Sequence, residues 1–254
     1  MSSFNLFLTV MTGVAVIVFF VLYHITAGYG KFVSGKWGLT IGNKAGWAIM
    51  ESPVFLLMTI LWLFSDRASM PVPLIIFLLF QLHYFQRSFI FPLLLRGKGR
   101  MPVAIVAMGA LFNMLNAVMQ GGWLFYISEP DRYQPQWLCS PQFILGTIVF
   151  LTGFIINIHS DSVIRSLRRD PLDTRHYLPR RGLYRYVTSA NYFGEIVEWC
   201  GFALLTWSPA GAVFALWTFA NLVPRSDTIY KKYKTEFGEQ MQRLRLRRIF
   251  PFIY

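Results

Sequence analysis

This chain has almost no cysteine, little charge, and none of the short motifs that mark soluble nucleotide enzymes. Its 254 residues include two cysteines, Cys139 and Cys200, and four histidines. No disulfide framework follows from these, nor any Cys-x-x-Cys or His-x-x-x-His metal site. Two buried thiols and no metal are expected. Charged residues are 14% of the chain, against roughly 25% in an ordinary soluble domain, which excludes a conventional water-soluble globule. No low-complexity tract, internal repeat or separate soluble domain is evident, so residues 1–254 are expected to form one domain. Gly28-Tyr29-Gly30 follows an apolar run instead of a strand and lacks the third glycine, so it is not a dinucleotide fingerprint. Gly-x-x-x-x-Gly-Lys-Ser/Thr, Gly-x-Ser-x-Gly and His-Glu-x-x-His are also missing.

What is abundant is apolar sequence: 55% of residues, with a mean hydropathy of +0.45. Seven apolar segments stand out, at approximately 4–27, 45–64, 71–95, 102–126, 138–160, 192–207 and 210–224. Most approach the ~20 residues that cross a bilayer as a helix; the last two are short. Because the runs are long instead of alternating, the expected fold is an all-α integral membrane protein with seven transmembrane helices. The first segment has no basic stretch before it and is too long for a signal-peptide core, so it reads as a retained span.

Charge placement sets the expected orientation. The net charge is +12, from 24 basic and 12 acidic residues. Only Arg67 and Arg132 fall in the loops of one side, and Arg87 lies within a span. The other basic residues crowd the opposite loops and the tail. The positive-inside rule then puts the N-terminus outside and the C-terminus in the cytosol. Topology and anionic lipid account for many of these cations, so no nucleic-acid partner is expected. The same pattern fits a bacterial inner membrane or the endoplasmic reticulum.

Against this apolar background, ionisable and amide groups fall in four places: Glu51; His83, Tyr84 and Arg87; Asn157, His159 and Asp161; and Asn191, Glu195 and Glu198. Polar groups inside membrane spans are costly and mark functional cavities by default. Asn191, Glu195 and Glu198 share one helical face. Glu51 could instead be a structural partner of Arg87, and His159 a satisfied residue at a helix end. Asp161 precedes Arg165 by four residues and Arg168 by seven, so one face carries a carboxylate followed by guanidiniums suited to phosphate. These residues imply a polar cavity facing the cytosol and an anionic ligand such as a phosphate-bearing cofactor. They do not name a reaction.

The strings GYGK (28–31), HYFQRSF (83–89), INIHSD (156–161), GLYRYVTSANYFGEIVEW (182–199) and the terminal PFIY resemble the steroid 5α-reductase family, with the type 2 enzymes nearest in pattern. The resemblance runs from about residue 28 to the last residue and is densest in the final hundred. It implies a seven-span membrane enzyme using NADPH to reduce the C4–C5 double bond of a 3-oxo-Δ4-steroid such as testosterone or progesterone. Glu51 and Tyr84 would engage the steroid 3-keto oxygen. Asn157, Asp161, Arg168, Asn191, Glu195, Tyr233, Arg225 and Lys98 would contact NADPH, and Trp47, Phe112 and Trp199 would wall the pocket. Residues 1–126 would then supply the steroid-pocket pair, and 138–254 most of the cofactor site. A monomer in the lipid bilayer is expected.

The residue types suit that chemistry. Hydride arriving at C5 pushes negative charge onto the C3 oxygen, where hydrogen-bond donors stabilise the developing enolate. Tyr84 can donate its phenolic proton. Glu51, in an apolar span, can remain protonated as a second donor, an arrangement the ketosteroid isomerase example illustrates. The chain departs from the family pattern at Lys98, where an arginine is usual, at His176-Tyr177-Leu178-Pro179 and at Ser226-Asp227-Thr228-Ile229. These departures bear on cofactor affinity more than on reaction class. Three other readings compete: reduction of another lipid enone, an S-adenosylmethionine-dependent membrane methyltransferase, and a transporter. The methyltransferase pattern expects a proline after His176, and the transporter expects paired repeats; neither is present.

Overall fold

A computed structural model describes residues 2–26, 28, 30–32, 37–167 and 175–254. The described chain is built from seven long helices: α1 Ser3–His24, α2 Asn43–Leu63, α3 Pro71–Leu94, α4 Val103–Ile127, α5 Pro141–Ser166, α6 Ala190–Thr206 and α7 Pro209–Leu244. The first five are long and apolar enough to cross a membrane. Two short strands, β1 Thr40–Gly42 and β2 Arg100–Pro102, pair antiparallel with Ile41 opposite Met101. They tie the entrance of α2 to that of α4.

Sequence signals explain the helix ends. Ser2, Ser140 and Ser208 each cap a helix, accepting from the backbone N–H of Asn5, Phe143 and Gly211. Such caps satisfy amides that the first helical turn leaves unpaired. Pro141 and Pro209 follow at the first helical position, where the missing N–H costs nothing.

Two helices run further than their apolar segments. α5 continues past residue 160 to Ser166, so Asp161 and Arg165 lie within it. α7 has 36 residues and extends well beyond the apolar stretch 210–224. Its basic extension is rich in strong helix formers, and Asp227–Lys231 (2.7 Å) and Lys232–Glu236 (4.0 Å) pair one turn apart. A kink at Phe237 marks where that extension bends.

Inside α3, residues Gln86–Ile90 form a π-helical turn. Pro92 is the physical cause. It has no N–H to donate to the carbonyl of Ser88, so the ladder loosens there. The widened turn carries Arg87.

The tightest seam in the molecule joins α5 to α6. Gly146 and Gly153 on α5, and Gly194 and Gly201 on α6, are each seven residues apart and face one another. A Cβ added at Gly153 would lie 2.2 Å from the Glu198 nitrogen, and one at Gly201 would lie 2.2 Å from the Phe150 nitrogen. Small residues in apolar helices permit this backbone approach. Trp199 fills the core beside the seam, packed against Phe80, Phe150, Phe202 and Phe214. Both thiols are exposed instead of buried. Trp199 and Gly201 take the inward face of α6, which turns Cys200 out, and Cys139 ends a short surface turn, Pro135–Cys139.

The tail folds back on the chain that enters α6. Arg247 donates to the Tyr186 carbonyl, and Thr188 and Ser189 donate to the carbonyls of Arg247 and Arg248. Asp227 accepts from Arg248 Nε at 2.5 Å. The start of α6 is thereby held from two sides.

Candidate active site

Above the glycine seam, α5 and α6 bring four of the expected residues together. Asn157 Nδ2 donates to the Asn191 carbonyl at 3.0 Å and to Glu195 Oε2 at 3.3 Å. Asn191 Nδ2 donates to Asp161 Oδ1 at 3.1 Å. Tyr184, in the loop before α6, donates its hydroxyl to Asn191 Oδ1 at 3.2 Å. Burial holds the Tyr184 phenol well above its ordinary range, so it remains a donor.

Asp161 also faces α3. Arg87 Nη1 lies 3.3 Å from Asp161 Oδ2, and the guanidinium stacks 4.9 Å from the Trp47 ring and 4.6 Å from Phe91. Arg87 therefore pairs with Asp161. A buried charge is tolerated when it is paired and hydrogen-bonded. This contact joins the α2–α3 side of the molecule to the α5–α6 side.

A second buried pair lies nearby. His83 Nδ1 is 2.7 Å from Glu198 Oε1, and Glu198 is fully buried. The His83 ring packs on Trp199 (4.6 Å) and on Tyr84 (4.9 Å).

Glu51 and Tyr84 stand on α2 and α3, and both are held by α4. Asn113 Nδ2 donates to Glu51 Oε2 at 3.0 Å, and Asn116 Nδ2 donates to the Tyr84 oxygen at 2.9 Å. The two asparagines are three apart on one helix, so they share a face. The carboxyl and the phenol are thus presented about one turn apart. Sequence reading did not single out Asn113, Asn116 or Gln120. Their signal was available: three amides at i, i+3 and i+7 in an otherwise apolar helix.

The remaining expected residues are more scattered. Arg225 on α7 is buried, donates from Nε to the Tyr192 hydroxyl at 2.9 Å and lies 5.7 Å over the Phe32 ring. Tyr233 is buried further along α7 with Leu178, Met241 and Leu246. Phe112 packs on Phe214 and Trp217. Trp47 is half-buried against Arg87, whereas Trp199 lies in the main core. Lys98 sits on the exposed loop before β2. Arg168 lies outside the described residues. His159 sits under Gly182, whose φ of +59° favours glycine; a Cβ there would come within 2.4 Å of the imidazole.

The donor set suits a large anionic cofactor with an amide end. Asn157, Asn191 and Glu195 offer amide-matching donors and acceptors. One turn beyond Asp161, the buried Nη1 of Arg165 has no hydrogen-bond partner among the described residues, and a guanidinium N–H is a donor suited to phosphate oxygen. No cluster of three or more His, Cys, Asp or Glu suited to a metal ion occurs among the described residues.

Fold and site together define a helical membrane-type protein with a buried polar site strung across α2–α6. Comparison with known proteins makes this specific. Residues 99–254 match the family described as 3-oxo-5-alpha-steroid 4-dehydrogenase. A steroid 5-alpha-reductase DET2 of Arabidopsis thaliana is 36% identical over 239 residues, covering 92% of this chain and 90% of the relative. The human 3-oxo-5-alpha-steroid 4-dehydrogenase 1 is 36% identical over 228 residues, covering 89% and 86%. The bovine protein of that name is 35% identical over 228 residues, covering 88% and 87%. The chain belongs to the steroid 5α-reductase family and is an oxidoreductase.

Proposed function

We propose that this protein uses NADPH to reduce the C4–C5 double bond of 3-oxo-Δ4-steroids of the testosterone or progesterone type, giving 5α-dihydrosteroids. The observation that carries this reading is the joint presentation of Glu51 and Tyr84 by Asn113 and Asn116. A carboxyl and a phenol held a turn apart can both donate to one ketone oxygen. As C5 is reduced, charge moves through the enone onto that oxygen, and two preorganised donors stabilise it in a site shielded from water. The balancing proton goes to C4. NADPH, when bound, supplies the hydride that reaches C5.

Asn157, Asn191 and Glu195 would hold the nicotinamide carboxamide. Asp161 keeps the Asn191 amide oriented through its 3.1 Å bond. Arg165 and Arg168, with Arg225, Tyr233 and Lys98 further out, would engage phosphates and ribose. Trp47, Phe112 and Trp199 would border the steroid. The steroid pair thus comes from the part up to residue 126 and most of the cofactor groups from 138–254, with the Arg87–Asp161 contact between them. We also infer that the protein acts as a monomer in the bilayer.

We further infer seven spans, with α6 and the apolar part of α7 as the sixth and seventh. The distribution of the 24 basic residues supports a cytosolic C-terminus and a cofactor site on the cytosolic side of an inner or endoplasmic reticulum membrane.

The test is NADPH oxidation by the detergent-purified protein with progesterone or testosterone. Steroid-dependent oxidation yielding the 5α-dihydro product should fall about 100- to 1000-fold in Glu51→Gln and in Tyr84→Phe. NADPH binding without oxidation of either steroid would redirect the reading to another lipid enone. No NADPH binding would end it.

A further inference from the structure

The amides behind Glu51 and Tyr84 continue into a layer, closed by Gln120, that does more than hold the two groups in place. Asn113, Asn116 and Gln120 are 6%, 0% and 3% exposed. Amides buried in an apolar helix are costly unless bonded, and here the bonds run in one direction.

Gln120 Nε2 lies 3.0 Å from the Ala210 carbonyl oxygen. A backbone carbonyl can only accept, so this end of Gln120 must be its NH2 group. The same group reaches Asn116 at 3.3 Å, and the atom it meets there must therefore be the oxygen. Asn116 is left with its NH2 for the Tyr84 hydroxyl, 2.9 Å away. The phenol oxygen accepts, and its own proton is free to point elsewhere. Asn113 repeats the logic. Its NH2 is fixed by the Met50 carbonyl at 2.9 Å and donates to Glu51 Oε2 at 3.0 Å. A proton on that carboxyl therefore resides on Oε1.

We propose that Asn116 and Gln120, together with Asn113, are positioning residues that set the hydrogen-bond polarity of the site. Anchored on the Ala210 and Met50 carbonyls, they occupy an acceptor position on Glu51 and on Tyr84 and leave the protons of both groups to the ligand. The pocket thereby selects a ligand oxygen that only accepts, a ketone. A 3-hydroxyl brings a proton that must compete with the Asn113 and Asn116 amides for the acceptor positions of Glu51 and Tyr84, and a poorly paired buried donor is penalised. This rests on the roles of Glu51 and Tyr84 proposed above.

The experiment measures binding of three steroids to the full chain saturated with NADP+: a 4-ene-3-one, its 3-hydroxy counterpart and its 3-deoxy counterpart. The wild type should prefer the ketone over both by about 10-fold or more. Gln120→Met frees the Asn116 amide to turn over and accept from Tyr84. That should reduce the preference by about 10-fold while leaving the 3-deoxy steroid within about twofold. Combining Gln120→Met with Tyr84→Phe should be no worse than Tyr84→Phe alone, because both act on one bond. The carbonyl stretch of the bound ketone should move back toward its free value in Gln120→Met, a change that simple loosening of packing would not produce. Where Gln120→Met does not fold, Gln120→Asn carries the same expectation, since its shorter amide cannot span from α4 to Ala210. An unchanged preference, an equal loss for all three steroids, or additivity with Tyr84→Phe overturns the proposal. A wild type that does not favour the ketone overturns the underlying reading of Glu51 and Tyr84, and the proposal falls with it.

Discussion

Gly153→Ala would separate the two helices that carry the Asn157–Asp161–Asn191–Glu195 cluster, the proposed cofactor side of the site. The added methyl would stand 2.2 Å from the Glu198 nitrogen, 2.6 Å from its Cα and 2.6 Å from the Gly194 carbonyl oxygen. These are backbone atoms of α6, and they cannot swing aside as a side chain can. Ordinary contact begins at 3.4 Å, so α5 and α6 must part by about 1.2 Å. The bonds that bridge the seam, at 3.0, 3.3 and 3.1 Å, would then stretch to about 4 Å and break. Overpacking costs about 1–3 kcal/mol and each opened buried bond about 1 kcal/mol. The expected loss is therefore on the order of 5 kcal/mol. Any protein that folds should show NADPH-dependent reduction lowered about 100-fold, since a displacement near 1 Å suffices for that. Thermal unfolding in detergent, NADPH binding and steroid turnover would be measured side by side. Gly13→Ala is the control, because its Cβ meets nothing within 4 Å. Gly109→Ala should fall between, because it meets the movable Met50 sulfur at 2.4 Å. Gly153→Ala behaving like Gly13→Ala in both stability and NADPH affinity would refute the reasoning.

Other expectations follow from the charged pairs. Asp161→Asn removes the carboxylate that contacts the buried Arg87 guanidinium at 3.3 Å and should cost about 3 kcal/mol. Lys231→Ala, which removes a 69% exposed partner of Asp227, should cost under about 1 kcal/mol; thermal unfolding showing equal losses would sink this ranking. Burial alone would raise the Asp227 carboxyl, but hydrogen bonds from Lys231 and Arg248 outweigh it and hold the group below its ordinary value. A carboxyl depressed by folding contributes stability present above its unfolded value, about 3.9, and loses it as pH falls toward the folded value. The stability gap between wild type and Asp227→Asn should accordingly narrow below about pH 4. A gap that stays constant from pH 6 to about pH 3 would mean the pairing contributes nothing.

Much of the fold was legible in residue order because the bilayer is a demanding solvent. A membrane span needs a long apolar run, so α1 to α5 could be read off with ends close to those observed. The ends that missed, at Ser166 and Leu244, were placed where hydropathy stops. Helix propensity and local ion pairs carry a helix further than hydropathy does. The polar residues in spans were equally conspicuous, since each is an exception to the surrounding chemistry. Glu51, Tyr84, Asn157, Asp161, Asn191 and Glu195 all stand out in the sequence on this ground.

Which of them touch was a different matter. Arg87 could have faced Glu51, and Asp161 could have faced Arg165 on its own helix. The tertiary arrangement instead sets Arg87 against Asp161 and gives Glu51 to Asn113. Composition and periodicity determined the class of protein, the five helices long and apolar enough to cross a membrane and the set of candidate groups, because those depend on local solvation. Only packing decided the partners, the glycine seam between α5 and α6, and the direction of the α4 amides. Each of these depends on distances between segments far apart in the chain, and a linear pattern does not contain such distances.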